Sequence, residues 1–394
     1  MTPLNTFTNS RPALPTCPIS RVKPSPPEPG PGPWTHAPYC VVTSRTSDKK
    51  LCVFTDANYN HGKGLSIVAK REVAESFVSE GLLPGSSSPS PTHPEPKYEV
   101  IPKPNQGLGL FVKPSPSYLP GETILLDHPT LIFPSSDSTK AISLETLSNL
   151  RRKALLQLPP QTRSLTRSLA QSIHSGKKRV VDEITDIIQT NAFTQQKAGA
   201  THDLIFPLAA RINHACTPNA FTRTNISSLA MEVIALTEIL PGEEIVHSYL
   251  DPSLPLSFRE RQQRFHAGWN FRCRCTLCTA PKENIAASDA QRKKIAELRE
   301  QLEDDETKGD AAAILKIAQR LLELYEAEGM VMPQAEANAL AAYGCKYLAE
   351  SGNEQQWKKA GRKYAKEAAR LYGIMFGEES QEVEEMVMLG KDLS

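Results

Sequence analysis

Four side chains that could take part in chemistry lie close together in residues 211–219 of the chain. Asn213 and Asn219 carry amides, His214 carries an imidazole and Cys216 carries a thiol. The preceding residues 204–210 are mostly apolar, which is typical of a buried segment that leads into a site. Cys216 has no neighbouring cysteine in the sequence, so any partner of its thiol must come from a distant part of the chain.

Three further cysteines, Cys273, Cys275 and Cys278, follow in a compact Cys-x-Cys-x-x-Cys pattern. Zinc takes four cysteine thiolates in a closed tetrahedral structural site, so this cluster is one ligand short. Cys216 is the best candidate for the fourth ligand, because the other four cysteines lack any neighbouring motif. The sequence therefore predicts one structural zinc ion held by Cys216, Cys273, Cys275 and Cys278.

Two other interpretations of these residues are open. The clustered thiols could lie on the surface without a metal. His214 and Cys216 could form the pair of a cysteine hydrolase, although neither a base beside the thiol nor an oxyanion hole is visible in the sequence. Because disulfides are uncommon in a reducing compartment, the remaining cysteines are expected to be free thiols: Cys17, Cys40, Cys52 and Cys345.

The composition bounds the class of protein. The chain has 394 residues with 39% apolar side chains and a net charge of +1. No apolar run is long enough to span a bilayer, and the first residues do not resemble a signal peptide, so we expect a protein of the nucleus or the cytoplasm. From residue 281 onward 16 Lys and Arg stand against 22 Asp and Glu, and this acidic balance could steer a basic peptide. Two solvated faces of opposite charge explain the same balance.

The segments around these residues must be mainly β-strands. Two Gly-x-Gly motifs, at residues 62–64 and 107–109, each precede a strand-like run. Pro-Gly-Glu turns at residues 120–122 and 241–243 lead into further strands. Strand-like runs cover residues 39–43, 51–54, 98–101, 107–112, 123–126, 220–224, 231–236 and 245–251.

Helical periodicity covers two regions. Residues 141–191 carry apolar side chains at helical spacing, with breaks at Pro159-Pro160 and Ser175-Gly176, which predicts three helices inserted between β segments. From about residue 285 onward the chain is helical, and both antiparallel helix pairs of tetratricopeptide (TPR) type and a plain helical bundle fit the pattern. Residues 1–33 are rich in proline and should be a disordered leader.

These motifs occur in the order found in SET-domain protein-lysine methyltransferases, and the chain resembles that family over about residues 97–280. Residues 107–109 resemble the turn that contacts the cofactor, and residues 213–219 resemble the family's central pseudoknot motif. Residues 244–249 resemble the strand that carries the active-site tyrosine, and residues 271–278 resemble the post-SET zinc segment. The earlier Gly-x-Gly lies too far upstream for the cofactor turn, so we assign it to an accessory β unit.

Within this family the chain is most similar to the SMYD-type branch, because it has the helical insert, the Ser-Tyr-Leu-Asp ending at Asp251 and the helical C-terminal region. That branch carries a zinc-binding MYND finger between its first strands and the insert. Residues 112–200 contain no cysteine, so the finger and the contacts attributed to it are not expected here. A smaller departure is Ala215, where the family commonly has serine.

The resemblance implies an α+β fold. Small SET-type β-sheets with a pseudoknot and a helical insert would be followed by a post-SET zinc segment and an all-α, TPR-like C-terminal domain. The implied boundaries are 1–33 for the leader, 34–96 for an accessory β-rich segment and linker, 97–252 for the SET domain with its insert at about 141–191, 253–281 for the zinc segment and 282–394 for the helical domain.

The resemblance also implies a function, namely methyl transfer from S-adenosylmethionine to a lysine amine of a histone or another protein. Tyr249 would be the catalytic residue, and Phe193 and Phe206 are candidates for the walls of the lysine channel. The zinc would hold Phe271 and the Cys216 segment together. The residues implied to contact the cofactor are Gly107, Leu108, Gly109, Asn191, Asn213, His214, Tyr249 and Phe271.

A second hypothesis is a binding scaffold whose SET residues are catalytically weak or inactive and whose helical domain recruits protein partners. The intact Asn213-His214 pair, Tyr249 and the four cysteines favour the enzyme. We expect a monomer that binds a protein substrate beside its helical domain. The sequence gives no indication of nucleic-acid or membrane binding.

Overall fold

The structure, a computed structural model, describes residues 32–43, 50–83, 95–103, 107–171, 182–197, 199–224, 228–304, 309–352 and 354–394. The predicted leader up to residue 31, Cys17 and the predicted break at Ser175-Gly176 lie outside these residues. No helix in the described ranges is both long enough and apolar enough to cross a membrane.

Strands dominate the first part of the described chain, and helices follow. The strands are β1 (Tyr39–Val42), β2 (Lys50–Asp56), β3 (Leu65–Ala69), β4 (Tyr98–Lys103), β5 (Gly107–Val112), β6 (Thr123–Asp127), β7 (Leu131–Pro134), β8 (Phe193–Lys197), β9 (Ala200–Ile205), β10 (Asn213–His214), β11 (Ala220–Thr224), β12 (Met231–Ala235) and β13 (Glu244–His247). The helices are α1 (Tyr59–Gly62), α2 (Arg71–Ser79), α3 (Ser136–Thr139), α4 (Leu144–Gln157), α5 (Pro160–Arg167), α6 (Glu183–Asn191), α7 (Phe258–Trp269), α8 (Thr276–Thr279), α9 (Lys282–Glu303), α10 (Ala311–Ala327), α11 (Gln334–Ser351), α12 (Glu354–Phe376) and α13 (Gln381–Asp392). This order confirms the predicted α+β class with a helical C-terminal region.

The largest sheet has six strands in the order β1-β2-β3-β7-β9-β8. β3 pairs with β7 in parallel, with Ser66 opposite Leu131 and Ile67 opposite Ile132. The predicted accessory segment is therefore continuous with a sheet that later strands complete, because its apolar strand β3 is buried between β2 and β7. The domain boundary near residue 96 stays a prediction.

The free thiols predicted at Cys40 and Cys52 are wrong, because the two residues form a disulfide. β1 and β2 pair in antiparallel fashion, and Cys40 lies directly opposite Cys52. Directly opposed side chains of neighbouring strands point to the same face of a sheet and lie within bonding reach. Neither a local sequence motif nor the expected compartment specifies this cross-strand register. Cys345 is a buried free thiol, as predicted.

The helices α4, α5 and α6 form the predicted insert and cover one face of the six-stranded sheet. The hydroxyl of Ser143 accepts a hydrogen bond from the backbone N–H of Thr146 and thereby starts α4. The Asp182 carboxylate does the same for α6. The buried apolar side chains of α4 and α6 pack against Val53, Leu131 and Ile205 of the sheet, among others.

Two smaller sheets have the orders β10-β13-β5-β4 and β11-β12-β6, and the first carries the Gly-x-Gly residues together with Asn213 and His214. The two Pro-Gly-Glu turns that enter β6 and β13 have the same geometry. In each, the backbone N–H of the glutamate, Glu122 or Glu243, donates to the carbonyl of the leucine three residues earlier at 3.0 Å. Gly121 and Gly242 have φ of 86° and 84°, which glycine adopts at no steric cost.

The C-terminal helices pack against the three-stranded sheet. Ile234 and Leu236 lie in one apolar cluster with Met332 and Ile374. The guanidinium of Arg223, on β11, donates to the backbone carbonyls at the end of α12 and forms an ion pair with Glu232. These contacts attach the helical region to the strands that lie beside the site. The TPR-like label for these helices stays a prediction.

Candidate functional site

The four cysteines of the predicted zinc site lie together. Their four Sγ atoms all lie within 4.8 Å of one another. Cys216 Sγ lies 3.6 Å from Cys278 Sγ and 4.0 Å from Cys273 Sγ. Tetrahedral zinc–sulfur bonds of about 2.3 Å place neighbouring sulfur atoms about 3.8 Å apart, so these separations fit a four-thiolate zinc site.

Hydrogen bonds to β13 hold the segment that carries Cys216. β10 pairs with β13 in parallel, with Asn213 opposite Val246 and His214 opposite His247. The Asn219 side chain donates to the Glu244 carbonyl at 2.8 Å and accepts from the Val246 N–H at 2.8 Å. Residues 213–219 therefore run along β13, which fixes the position of the thiol between the two anchored ends.

Helix α7 positions Cys273, the first of the other three cysteines. Ser257 and Glu260 form a capping box at its start, and Asn270 ends it in the left-handed conformation with φ of 55°. Within the helix, the Gln262 side chain accepts from the Cys273 N–H at 3.1 Å and donates to the Cys273 carbonyl at 3.2 Å. This double hydrogen bond fixes the backbone of the first clustered cysteine.

His214 lies between the cysteines and Tyr249. Its Nδ1 accepts a hydrogen bond from the Tyr249 backbone N–H at 3.1 Å, and its Nε2 lies 3.4 Å from Cys216 Sγ. Because Nδ1 is the acceptor, the hydrogen-bond network assigns the proton of the neutral ring to Nε2. Burial lowers the pKa of His214 to about 4, so the ring is neutral at physiological pH. Burial, with the nearby His214 adding to it, lowers the pKa of His247 to about 3.

Tyr249 lies two residues beyond the end of β13, whereas the sequence predicted a strand through this position. Its hydroxyl donates to the Ile212 carbonyl at 3.1 Å. The ring packs on His214 and Trp269 with centroid separations of 5.3 Å each, and on Phe271 at 6.3 Å. Burial raises the pKa of Tyr249, so the phenol keeps its proton and remains a hydrogen-bond donor at neutral pH.

Asn213 joins the central motif to the Gly-x-Gly turn. Its side-chain Nδ2 donates to the Leu108 carbonyl at 3.1 Å and to Glu244 Oε1 at 2.7 Å. A Cβ on Gly109 would lie 2.7 Å from the same Glu244 oxygen, so a side chain does not fit there. Gly107 has φ of 80°, and no atom of the described residues lies within 4 Å of the place its Cβ would take. The Gly-x-Gly segment is therefore closely packed at Gly109 and accessible at Gly107, where a cofactor could approach the backbone.

The other predicted residues, Asn191, Phe193 and Phe206, lie at the end of α6, at the start of β8 and just after β9. Asn191 ends α6, and its side-chain nitrogen donates to the Ala170 and Ile187 carbonyls at 2.7 and 2.8 Å. These bonds commit that nitrogen to the helical insert. Phe193 stacks on His247 at 6.0 Å and packs edge-on against the fully buried Phe206 at 5.7 Å. The cofactor contact of Asn191 and the channel role of the two phenylalanines stay predictions.

Sequence reasoning missed several residues that hold the site together. Glu244 connects Asn213, the glycine turn and Lys103, whose Nζ lies 2.5 Å from its Oε2. Gln262 fixes Cys273, and Trp269 packs on Tyr249. In the sequence, the position of Gln262 in a polar helix just before the cysteine cluster is only a weak indication that it contacts a cysteine. Glu244 could have been noticed from the sequence, because a carboxylate at the start of a strand that is expected to be half-buried needs a partner.

In a comparison with known protein families, residues 95–250 of the chain match the SET domain family. The chain is 28% identical over 203 residues to the histone-lysine N-methyltransferase set5 of Schizosaccharomyces pombe, covering 50% of this chain and 56% of the relative. It is 37% identical over 101 residues to the human N-lysine methyltransferase SMYD2, covering 25% of this chain and 22% of the relative. It is 36% identical over 84 residues to the mouse protein-lysine N-methyltransferase SMYD4, covering 21% of this chain and 10% of the relative.

These matches support the predicted resemblance to the SET family and to its SMYD-type branch. The chain spans about half the length of the fission-yeast relative and less than a quarter of the human one. The residues predicted from the Gly-x-Gly turn to Tyr249 fall inside the matched range, whereas the three clustered cysteines lie beyond it.

Proposed function

We propose that this chain, which contains a SET domain, is an S-adenosylmethionine-dependent protein-lysine N-methyltransferase. One observation carries the proposal: Tyr249 and Phe271 lie in a single cluster with the four cysteines, and His214 contacts both Tyr249 and Cys216. The glycine turn is bonded to the same segment through Asn213. These residues are distant in the sequence and adjacent in the fold.

The cofactor site would be formed by the glycine turn, Asn213, His214 and Phe271. S-adenosylmethionine, when bound, supplies a methyl group on a positively charged sulfur that is ready for transfer to an amine. The open side of Gly107 lets backbone approach the ligand without a side chain in the way. The half-buried ring of Phe271 offers an apolar face for the adenine.

Tyr249 would position the reacting groups. Its phenol stays protonated and donates to the Ile212 carbonyl, so its oxygen can accept a hydrogen bond from the amine while the amine and the methyl group align. The lysine must be neutral to react, and deprotonating an amine with a pKa near 10.4 at pH 7 costs roughly 4–5 kcal/mol. The surrounding rings of Trp269, Phe193 and His247 form an apolar environment that lowers the pKa of an amine.

The zinc would have a structural role. Cys216, Cys273, Cys275 and Cys278 would hold the ion and thereby tie the His214 segment to the segment that carries Phe271. All four ligand positions come from the protein, so the site is closed and supplies no open position for catalysis.

The substrate would be a protein of the nucleus or the cytoplasm with an accessible lysine in a basic surrounding. The acidic balance of residues 281–394 favours such a sequence beside the helical region.

The test is to incubate purified protein with labelled S-adenosylmethionine and a cell lysate, and to identify labelled lysines by mass spectrometry. We expect labelled protein with the wild type and strongly reduced labelling with Tyr249→Phe. A wild type that binds the cofactor in calorimetry but labels no protein would contradict the enzyme. A protein that binds no cofactor would instead favour a scaffold.

A further inference from the structure

A disulfide joins β1 to β2 at one edge of the six-stranded sheet. Cys40 and Cys52 lie directly opposite each other in the two strands, and their sulfur atoms are bonded. β1 is the outermost strand, so β2 is its one neighbour in the sheet. In the nucleus and the cytoplasm, where we expect this protein, disulfides are usually transient or redox-sensing. This bond is therefore a candidate for reversible opening.

The two cysteines differ in their access to solvent. Cys40 is exposed, whereas Cys52 has 3% of its surface exposed and lies in the apolar cluster that contains Trp34, Phe54 and Phe77. Thiol–disulfide exchange begins when a thiolate attacks one of the two sulfur atoms, and access decides which one. Cys40 is therefore the expected point of attack, and Cys52 is the expected leaving group.

Few contacts other than the disulfide hold β1 in place. The strand has only four residues, and two of them, Tyr39 and Val42, are 42% and 54% exposed. Val41 is half-buried against the apolar cluster under the helical insert, and Lys153 Nζ lies 5.6 Å from the centre of the Tyr39 ring. Because so short a strand with one neighbour has a weak hold of its own, opening of the disulfide should loosen it.

We propose that Cys40 and Cys52 form a redox-sensitive pair in which Cys40 is the site of modification by a small thiol such as glutathione. A glutathione thiolate attacks the Cys40 sulfur and forms a mixed disulfide there. The bond between the two cysteine sulfurs breaks, and Cys52 leaves as a thiolate that takes up a proton. A second glutathione thiolate then attacks the glutathione sulfur of the mixed disulfide, and Cys40 leaves in the same way.

The electrons balance over the two steps. The pair gains two electrons and two protons, and two glutathione molecules are oxidised to one molecule of glutathione disulfide. Glutathione disulfide supplies the oxidant for the reverse reaction, which closes the pair. The closed pair fixes β1 on β2, and the open pair lets β1 separate from the sheet.

The first experiment maps the cysteines of the full chain by mass spectrometry after treatment with glutathione disulfide or with an excess of reduced glutathione. We expect a closed pair in the first case and two thiols in the second, within the hours that such exchange takes. Peptide mapping distinguishes these two cysteines from the four of the proposed zinc site.

Two single variants test which sulfur is attacked. Cys52→Ser leaves the exposed Cys40 thiol, which should form a mixed disulfide with glutathione disulfide. Cys40→Ser leaves only the buried Cys52, which should react about tenfold more slowly, because burial limits both thiolate formation and access. Cys345→Ser, which removes a buried free thiol of the C-terminal helices, is the matched control and should keep the reversible pair. Thermal melts show that each variant is folded.

Amide hydrogen exchange measures whether the pair controls the strand. Reduction of the wild type should speed exchange in β1 by about tenfold or more and leave α12 unchanged. Cys40→Ser has no disulfide to open, so its exchange in β1 should be fast with and without glutathione.

Three results would overturn the proposal. A pair that stays closed in excess glutathione, or open with glutathione disulfide, is not reversible. Equal reactivity of the two folded single variants would remove the modification site at Cys40. Equal exchange of β1 in the oxidised and reduced wild type would mean that the bond does not control the strand. None of these measurements involves methyl transfer, so failure of the proposed enzyme activity would leave their outcomes unaffected.

Discussion

His214 accepts a hydrogen bond at Nδ1 from the backbone N–H of Tyr249, at 3.1 Å. The other ring nitrogen of His214 lies 3.4 Å from the Cys216 thiol. One neutral imidazole thus connects the residue proposed for catalysis to a proposed zinc ligand. Because groups that contact metal ligands commonly fix their orientation, we expect the zinc site and the position of Tyr249 to depend on each other.

Substitution Tyr249→Phe tests the role of the hydroxyl. The ring contacts with His214 and Trp269 remain, so only the hydrogen bond to the Ile212 carbonyl is lost. We expect the rate of methyl transfer to fall about a hundredfold, because the reacting groups lose their alignment. The free energy of unfolding should fall by only about 1 kcal/mol. Initial rates and denaturant melts measure the two effects separately.

Tyr364→Phe is the matched control for this experiment. The Tyr364 hydroxyl accepts a hydrogen bond from Gln319 within the C-terminal helices, away from the site. The control should lose similar or less stability and keep its activity. Full activity of Tyr249→Phe would rule out a catalytic role for the hydroxyl.

The zinc site predicts a metal content of about one ion per chain, with the ion required for folding of the segment. Cys275→Ser should lose the ion and lower the melting temperature, because a serine hydroxyl is not a thiolate ligand. Cys345→Ser should keep the ion, since Cys345 is a buried free thiol outside the cluster. Elemental analysis of the purified proteins provides the measurement. A folded wild type without zinc would argue against the four-cysteine site.

Gln262→Ala tests the support behind the zinc ligands. The amide of Gln262 both accepts from and donates to the backbone of Cys273, so its loss leaves this ligand less well fixed. We expect the protein to bind zinc about 10–100-fold more weakly, as is usual when a residue that orients a ligand is removed. Competition with a zinc chelator of known affinity measures the change. The exposed neighbour Gln263 provides the control, and equal zinc affinities of the two alanine variants would contradict this role.

Much of this site could be predicted because its residues are close in sequence or belong to a distinctive pattern. The Cys-x-Cys-x-x-Cys cluster needs a fourth thiolate, and Cys216 lies within 4.8 Å of the other three sulfur atoms. The helical insert was also predictable, because its apolar side chains recur at helical spacing over several turns.

Features that depend on register between distant strands were not predictable. The disulfide between Cys40 and Cys52 results from the pairing of β1 with β2, which no local motif specifies. Similarly, β3 joins the six-stranded sheet by pairing with β7, about 65 residues later, and no local pattern in the early segment indicates that partner. Glu244 was missed because its partners Asn213 and Lys103 come from two other strands.

Gly109→Ala tests whether the contact of Asn213 with Leu108 and Gly109 shapes the cofactor site. The new Cβ would lie 2.7 Å from Glu244 Oε1 and 3.0 Å from Asn213 Nδ2, so both side chains must move and the bond to the Leu108 carbonyl is disturbed. We expect S-adenosylmethionine to bind about tenfold more weakly in calorimetry, a loss of roughly 1.4 kcal/mol. The control is Gly121→Ala, where φ is 86° and the space is open, so the alanine costs about 1 kcal/mol of stability through backbone strain alone. This variant should bind the cofactor normally. If Gly109→Ala also binds S-adenosylmethionine normally while Gly121→Ala is destabilised as expected, the contact of Asn213 with Leu108 and Gly109 has no part in forming the cofactor site.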